Sequence, residues 1–281
     1  MDTELTLADL GFDEVATSPL TAEQTGIIAA ALDAPGPYGD GDRLPLLWHW
    51  AHFTPRTPTA AIGADGHPPT PAHIHDRYPR RMWASGSIEA PGRLAIGEPA
   101  ERHSTIAERK ESDGRSGPLL IVTVEHTYRQ AGAEPLVERQ TLVYRTPGPP
   151  VPVPEGDHVP TPGPGQWIER RCPSPVELFR FSAITFNSHR IHYDAAYARN
   201  EEGYPGLVVH GPLTAITAAT SMERNAQRAL RSFRFRAVAP LFVGLTSHIV
   251  GGIEGDDVAM EVVRNDGTTA MEASGTLAAA P

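Results

Sequence analysis

The sequence predicts an α+β protein in which one architecture occurs twice. Each half of the 281-residue chain contains one clear helical segment and several strand-like segments, and a proline-rich stretch separates the halves. Apolar residues make up 40% and charged residues 21%, which is the composition of a globular protein. Domains commonly hold about 100 to 200 residues, so the chain has room for two of them.

The boundary between the halves lies at residues 146–165, TPGPPVPVPEGDHVPTPGPG. Prolines this frequent stop helices and central strands, so the stretch is expected to be an extended, semi-rigid connector. We predict an N-terminal repeat over 1–146, a linker over 147–166 and a C-terminal repeat over 167–281. A structured loop within a single domain is the alternative that the pattern leaves open.

The N-terminal half is expected to begin with a helix. Thr21, followed three residues later by Gln24, forms a plausible capping box, and the apolar residues Ile27, Ile28 and Ala31 fall on one side. Three later segments have the composition of strands: RMWASGSIEA, GPLLIVTVEHTYRQ and PLVERQTLVYR.

The C-terminal half follows the same order. The segment VELFRFSAITF is strand-like, and a long helix is expected from Gly211, where the small residues Ala215, Ala218 and Ala219 would let it lie close against a curled sheet. Four strands are expected after it: SFRFRAVAPLFVG, TSHIVGGIEG, DVAMEVVRNDG and TAMEASGTL.

Charge and cysteine content restrict the class of protein. The net charge of −10 repels nucleic acid and anionic lipid, and no stretch approaches the ~20 apolar residues of a membrane span. The single Cys172 excludes an internal disulfide, and the acidic start MDTELTLADLGFDE lacks the basic and apolar regions of a secretory signal. A soluble cytoplasmic protein that binds neither nucleic acid nor membranes is expected.

Residues 185–194, TFNSHRIHYD, could form a metal site, an acid/base site or a polar turn. A metal site is disfavoured, because His192 and Asp194 would point away from His189 in an extended segment, and a helix would leave Asp194 off the face of the two histidines. Asn187 is a turn former, and most histidines are hydrogen-bonded structural residues, so a turn without catalysis stays open.

The following segment, GYPGLVVHGPLTA, favours chemistry. It brings His210 and Gly211 to the start of the long helix, where unpaired backbone N–H groups stabilise a developing oxyanion. A glycine at that point lets a ligand approach the backbone closely. An imidazole beside such a site could act next to a thioester carbonyl.

These two motifs resemble those of the MaoC-like, or R-specific, enoyl-thioester hydratases and dehydratases of the hot-dog fold. That superfamily carries G-D-x-N-P-I-H and a later A-H-G-M-L. Matched position by position, its catalytic histidine falls on His192, its oxyanion glycine on Gly211 and its aspartate on Asn187, while His189 and Arg190 occupy the asparagine and proline positions. The match departs at the aspartate position, because Asn187 has no carboxylate and its amide cannot take a proton.

An asparagine at this place is usual in one branch, the mitochondrial-type 3-hydroxyacyl-thioester dehydratases and the mesaconyl-C4-CoA (3-methylfumaryl-CoA) hydratases. Phrases of the N-terminal half resemble the first repeat of those hydratases: LPLLWHWAHF, GADGHPP, RRMWASGSIE and VERQTLVYR. The resemblance implies a double hot dog in which each curled sheet wraps a helix. It also implies a catalytic C-terminal repeat and a non-catalytic N-terminal one.

The resemblance implies a hydro-lyase that adds water reversibly to an α,β-unsaturated acyl-CoA and needs no cofactor or metal. His192, near its ordinary pKa of about 6.5, would move the proton, Asn187 would hold the water and the Gly211 amide would bind the thioester oxygen. Arg190 would bind a substrate carboxylate or pair with Asp194, and His189 is a second substrate-binding candidate. Arg234 and Arg236, on one face of a strand, and Arg81 are candidates for the CoA phosphates.

Other readings share the fold. A 3-hydroxyacyl-thioester dehydratase of fatty-acid or secondary-metabolite synthesis would run the same chemistry in reverse, and a carrier-protein thioester could replace the CoA thioester. A thioesterase or a non-catalytic thioester binder stays open as well. Tyr193 is expected in the core, His210 is expected to be a structural hydrogen-bonding residue, and a homo-oligomer is possible.

Overall fold

The computed structural model describes residues 5–114 and 117–279. Its strands are β1 (Val15–Ser18), β2 (Arg80–Glu89), β3 (Ala100–Gly114), β4 (Gly117–Gln130), β5 (Leu136–Arg145), β6 (Gln166–Arg171), β7 (Leu230–Ala237), β8 (Ser247–Glu254), β9 (Asp257–Arg264) and β10 (Thr269–Leu277). They form one antiparallel sheet in the order β1-β3-β4-β5-β2-β7-β10-β9-β8-β6.

The two halves of the sheet have the same strand order. Read from its outer edge inward, the first half runs β1-β3-β4-β5-β2 and the second runs β6-β8-β9-β10-β7. The halves meet where β2 pairs antiparallel with β7, from Ser85 opposite Arg236 to Glu89 opposite Ser232. The architecture is therefore repeated along the chain, as expected.

The helices are α1 (Leu7–Leu10), α2 (Ala22–Ala31), α3 (Ala72–His75), α4 (Pro175–Thr185), α5 (Ala195–Asn200) and α6 (Gly211–Ala226), with 3-10 turns at Trp48–Ala51, Thr59–Ala61 and Arg190–His192. Helix α6 packs against β7 to β10 through Ala215, Ala218 and Ala219, each at most 1% exposed. The expected helix from Gly211 is thus confirmed, and small side chains bring it close to the sheet.

The segment VELFRFSAITF forms helix α4, so the expected strand is wrong. Ser174 caps the helix by accepting the backbone N–H of Glu177 at 3.1 Å, and Pro175 occupies the first turn, where its missing N–H costs nothing. The buried residues Leu178, Phe181 and Ile184 are three apart and form one helical face. Ser174 and Pro175 are a helix-start signal, and here this signal is a better guide than the β-branched and aromatic composition that suggested a strand.

The structure differs from the sequence predictions at three further places. Strand β3 was not expected, because its sequence AERHSTIAERKESDG is largely charged. Helix α2 is capped by Thr21, but the Gln24 amide donates to the carbonyl of Ala51 instead of closing the capping box. Ile27 is 49% exposed, whereas Ile28 is fully buried as expected.

Residues 146–163 form neither helix nor strand, as expected of the connector. They are fixed to the C-terminal half, since the Val151 N–H donates to Gly203 at 2.8 Å and the His158 N–H donates to Asn265 at 2.8 Å. Across the described part of the chain, no helix combines the length and apolar character needed to cross a membrane.

Candidate active site

A cleft of about 1220 Å³ is lined by residues from both halves of the chain. The C-terminal half contributes the end of α4, the segment 186–193 and the start of α6. The N-terminal half contributes the loops between Trp50 and Pro68 and the start of β2. Connector residues 147–151 complete the lining.

The end of α4 fixes the segment that carries the histidines. Phe186 ends the helix in the left-handed conformation, with φ of 52°, and the Asn187 N–H donates to Ser182 at 2.9 Å. The Asn187 side-chain oxygen accepts the N–H of His189 at 3.0 Å, and a 3-10 turn over Arg190–His192 follows. Asn187, His189, Arg190 and His192 all line the cleft.

A loop of the N-terminal half, residues 63–67, is hydrogen-bonded to this segment. The Ser188 hydroxyl donates to the carbonyl of Gly66 at 2.6 Å, and the Arg190 N–H donates to the carbonyl of Asp65 at 2.9 Å. Gly66 has φ of +93°, and a Cβ there would lie 1.8 Å from the Ser188 carbonyl oxygen. Only a glycine allows the two backbones to meet this closely, so both halves build the site.

His192 is held with one ring nitrogen free. Its Nδ1 donates to the carbonyl of Val208 at 2.7 Å, which leaves Nε2 as the unprotonated acceptor. The ring is 7% exposed and stacks on His210, with centroids 3.6 Å apart. Burial lowers the pKa of His192 to about 4, partly offset by the bond to Val208, whereas the sequence analysis expected its ordinary value.

His192 belongs to a cluster of four histidines. The ring of His189 lies 5.5 Å from His192 and 4.0 Å from His67, which the loop 63–67 supplies. His210 shares a hydrogen bond of 2.8 Å between its Nε2 and the Ser182 hydroxyl. Burial lowers the pKa of His67, His189 and His210 as well, so the cluster is neutral at neutral pH.

Asp65 orients His67, and the sequence analysis missed this pair. The Asp65 carboxylate accepts the His67 backbone N–H at 3.0 Å and its Nδ1 at 3.1 Å. One possible metal-ligand atom from each of Asp65, His67 and His189 lies within 4.8 Å of the other two, so the three side chains could approach a metal ion. Because His67 Nδ1 shares a proton with Asp65, binding an ion through that nitrogen would require the loss of the proton and of this hydrogen bond. The motif GADGHPP was the available signal.

The amide end of α6 opens into the same cleft. Gly211 is the first residue of the helix, so its N–H has no intrahelical acceptor, and it lines the cleft beside His192. A Cβ on Gly211 would lie 2.8 Å from the ring of Trp83, which covers this turn. Trp83 also stacks on Phe235 with ring centroids 4.5 Å apart. The group that approaches Gly211 closely is thus Trp83, and the expected approach of a ligand to this backbone stays a prediction.

A buried carboxylate supports this wall of the cleft. Glu138 accepts hydrogen bonds from His49 at 3.0 Å, Trp50 at 2.7 Å and Tyr128 at 2.8 Å, and the pKa of Glu138 is about 2, since these bonds outweigh the opposing effect of burial. Gln140 donates to the same carboxylate at 2.7 Å, and its oxygen accepts the Trp83 indole N–H at 3.3 Å. The network therefore fixes Trp50 and Trp83, which line the cleft.

Of the candidate arginines, Arg190 lines the cleft, whereas Arg234 and Arg236 do not. Arg190 donates to Asp194 at 2.8 Å and to the carbonyl of Ala64 at 3.0 Å, which matches the ion-pair alternative. Arg234 and Arg236 point away from the cleft, because the alternate residues of β7 face the core, and Arg236 pairs with Glu272 at 2.9 Å. The geometry therefore does not support their expected contact with the CoA phosphates.

Two further positions depart from expectation. Tyr193 is 51% exposed and lines the cleft, so its expected place in the core is wrong. Arg81 does line the cleft, as do Arg145 and Arg199, which the sequence analysis did not single out. The cations that reach the ligand space thus come from both halves of the chain.

The solved structures with the same fold include HtdX of Mycobacterium tuberculosis, with a TM-score of 0.67 and 17% identity over 93% of this chain and 98% of that one. A conserved hypothetical protein of the same organism, described as a double hot-dog fold, has a TM-score of 0.53 and 13% identity over 95% of this chain and 94% of its own. The expected double hot-dog fold is confirmed.

A double hot dog whose cleft joins a histidine to the amide end of a helix has the equipment of a thioester hydro-lyase. The family model for hydroxyacyl-thioester dehydratase type 2 matches residues 47–243. The mesaconyl-C(4)-CoA hydratase of Chloroflexus aurantiacus is 41% identical over 95% of this chain and 96% of that protein. The chain belongs to the hydroxyacyl-thioester dehydratase type 2 family, which confirms the expected family and enzyme class.

Acid is expected to destabilise the protein between pH 6.5 and 4. Unfolded His192 has the ordinary pKa of 6.5 and folded His192 a pKa of about 4, so the unfolded state binds the proton first. The contribution of His192 is complete above pH 6.5 and is lost as the pH falls towards 4, by about 3 kcal/mol. His52 and His126, with pKa values of about 4, add to the effect.

The measurement is urea unfolding at pH 7.5, 6 and 5. The free energy of unfolding should fall steeply over this range, and His192→Asn should make the fall shallower. A free energy of unfolding that does not change between pH 7.5 and 5 would contradict the buried, neutral state of the cluster.

Proposed function

We propose that this protein catalyses the reversible addition of water to the α,β double bond of an acyl-CoA thioester. The observation that carries the proposal is the free Nε2 of His192 in the same cleft as the unpaired amide of Gly211. A proton acceptor and an oxyanion site are the two groups that this addition needs. The favoured acyl group is of the 3-methylfumaryl (mesaconyl-C4) type, after the mesaconyl-C(4)-CoA hydratase of Chloroflexus aurantiacus.

In the hydration direction, His192 Nε2 takes a proton from water as the water oxygen bonds to the β-carbon. The electron pair of the double bond moves towards the thioester oxygen, which rests on the Gly211 N–H. The proton on His192 then passes to the α-carbon, and the thioester carbonyl is restored. With a pKa of about 4, protonated His192 is a strong acid towards the α-carbon, whereas its neutral ring is a weak base towards water.

The two repeats have different parts in this proposal. The C-terminal repeat, 167–281, carries the reacting groups, with Asn187 beside the water and Arg190 held by Asp194 to keep the turn in place. The N-terminal repeat, 1–146, supplies the wall of Trp50 and Trp83. The linker, 147–166, borders the mouth of the cleft, where a CoA chain would enter.

A panel of enoyl-CoA thioesters tests the function. The purified protein is incubated with crotonyl-CoA, fumaryl-CoA and 3-methylfumaryl-CoA, while enoyl absorbance and free thiol are followed together. Loss of absorbance without free thiol is the expected result. Release of free thiol would indicate a thioesterase, and no change with any thioester, including 3-hydroxyacyl-CoA in the reverse direction, would contradict the proposal.

A further inference from the structure

Arg81, at the start of β2, lines the cleft with an unsatisfied guanidinium group. Its Nη2 donates to the carbonyl of Leu10 at 2.9 Å, at the end of α1, which holds the group in place. Its Nη1 is buried and has no hydrogen-bond partner among residues 5–114 and 117–279. A buried charged donor without an acceptor is unfavourable, so a ligand that supplies an acceptor would be bound strongly.

The neighbouring carboxylates are engaged elsewhere. Asp65 is close enough for Arg81 to contribute to its lowered pKa, but both of its oxygens accept hydrogen bonds from His67. Arg80 pairs with Glu202, whereas within the described part of the chain Arg81 forms no ion pair. Among the described residues, Nη1 of Arg81 is therefore left without an acceptor.

Arg81 lines the same cleft as His67 and His189. Its charge also adds to the lowering of the pKa of both histidines. Trp83, two residues further along β2 and on the same face, covers the first turn of α6 at Gly211. Two residues of a strand span about 7 Å, so the guanidinium can reach the acyl group of a thioester seated on Gly211.

We propose that Arg81 binds a free carboxylate carried on the β-carbon of the acyl group. This inference rests on the proposed function and assigns a specificity-determining residue to its dicarboxylic acyl group. Nη1 is buried, so the side chains around it must shift for Nη1 to donate to the carboxylate while Nη2 stays on Leu10. The phosphates of CoA lie at the other end of the pantetheine chain, so the phosphate role expected from the sequence does not fit a residue beside the histidines.

Binding of succinyl-CoA and butyryl-CoA tests the inference without turnover. These saturated thioesters differ only by a carboxylate in place of a methyl group. Calorimetry on the wild type should give at least about 100-fold tighter binding of succinyl-CoA, and Arg81→Met should remove most of that preference. Arg81→Lys, which keeps the charge but loses the planar fork, should retain part of it.

Arg77→Met is the matched control, since Arg77 lies outside the cleft and pairs with Glu111. It should leave the preference for succinyl-CoA unchanged. Equal affinities of the wild type for the two thioesters would overturn the inference. An equal loss of affinity for both thioesters in both Arg81 variants would overturn it as well, because Arg81 would then only support Leu10.

Kinetics separate this inference from the proposed function. Fumaryl-CoA and crotonyl-CoA differ by the same substitution, and Arg81→Met should lower the ratio of their kcat/KM values by about 100-fold. A preference for succinyl-CoA without hydration of any enoyl-CoA would overturn the function and leave the carboxylate site standing. Hydration of enoyl-CoA without a preference for the carboxylate would support the function and overturn the role of Arg81.

Discussion

Replacing His192 by asparagine is expected to lower kcat for hydration by about a thousandfold, the scale of general acid–base catalysis. The asparagine amide can still donate to the carbonyl of Val208 and fill part of the space beside His210. It has no nitrogen that could accept a proton from water. Binding of the thioester should change little, because the proton transfer belongs to the transition state.

The measurement pairs kcat with the affinity for a saturated thioester. His73→Asn is the control, since His73 is exposed on α3 and lies outside the cleft. It should leave kcat at the wild-type value. Near-normal kcat in His192→Asn would show that another group carries the proton, and His67, oriented by Asp65, would be the first candidate.

Gly211→Ala is expected to lower kcat/KM by about 100- to 1000-fold. The added methyl group would lie 2.8 Å from the ring of Trp83, so either the indole or the first turn of α6 must shift. Either shift separates the Gly211 amide from the thioester oxygen, and loss of one oxyanion donor has an effect of this size.

Gly206→Ala provides the control, because a Cβ there meets no atom within 4 Å. Its activity and melting temperature should stay close to those of the wild type. If Gly211→Ala retained full kcat/KM while folding normally, the α6 amide would have no part in the transition state.

Local sequence patterns predicted much of the fold, but they predicted little of what the N-terminal half contributes to the candidate site. Strand-like composition identified β4 and β5, and the run of small residues identified α6, because these signals lie within a few neighbouring positions. Nothing local connects Asp65 and His67 with His189, more than 120 residues later. Their meeting depends on the contact between Gly66 and Ser188, which only tertiary structure creates.

The arginines illustrate the same limit. A strand pattern places Arg234 and Arg236 on one face, but whether that face meets the ligand depends on which side of the sheet α6 covers. Arg81 looks ordinary in the sequence RYPRRMW. Its unmet hydrogen-bonding capacity becomes visible only when the carbonyl of Leu10 and the pairing of Asp65 with His67 are known.

The pairing of β2 with β7 joins two copies of one architecture within a single polypeptide. In a symmetric dimer, every substitution is present in both copies, so a loop cannot change on one side alone. A tandem arrangement removes that coupling. One copy can keep His192 while the other gains Asp65, His67 and Arg81, so the two halves line the cleft with different side chains.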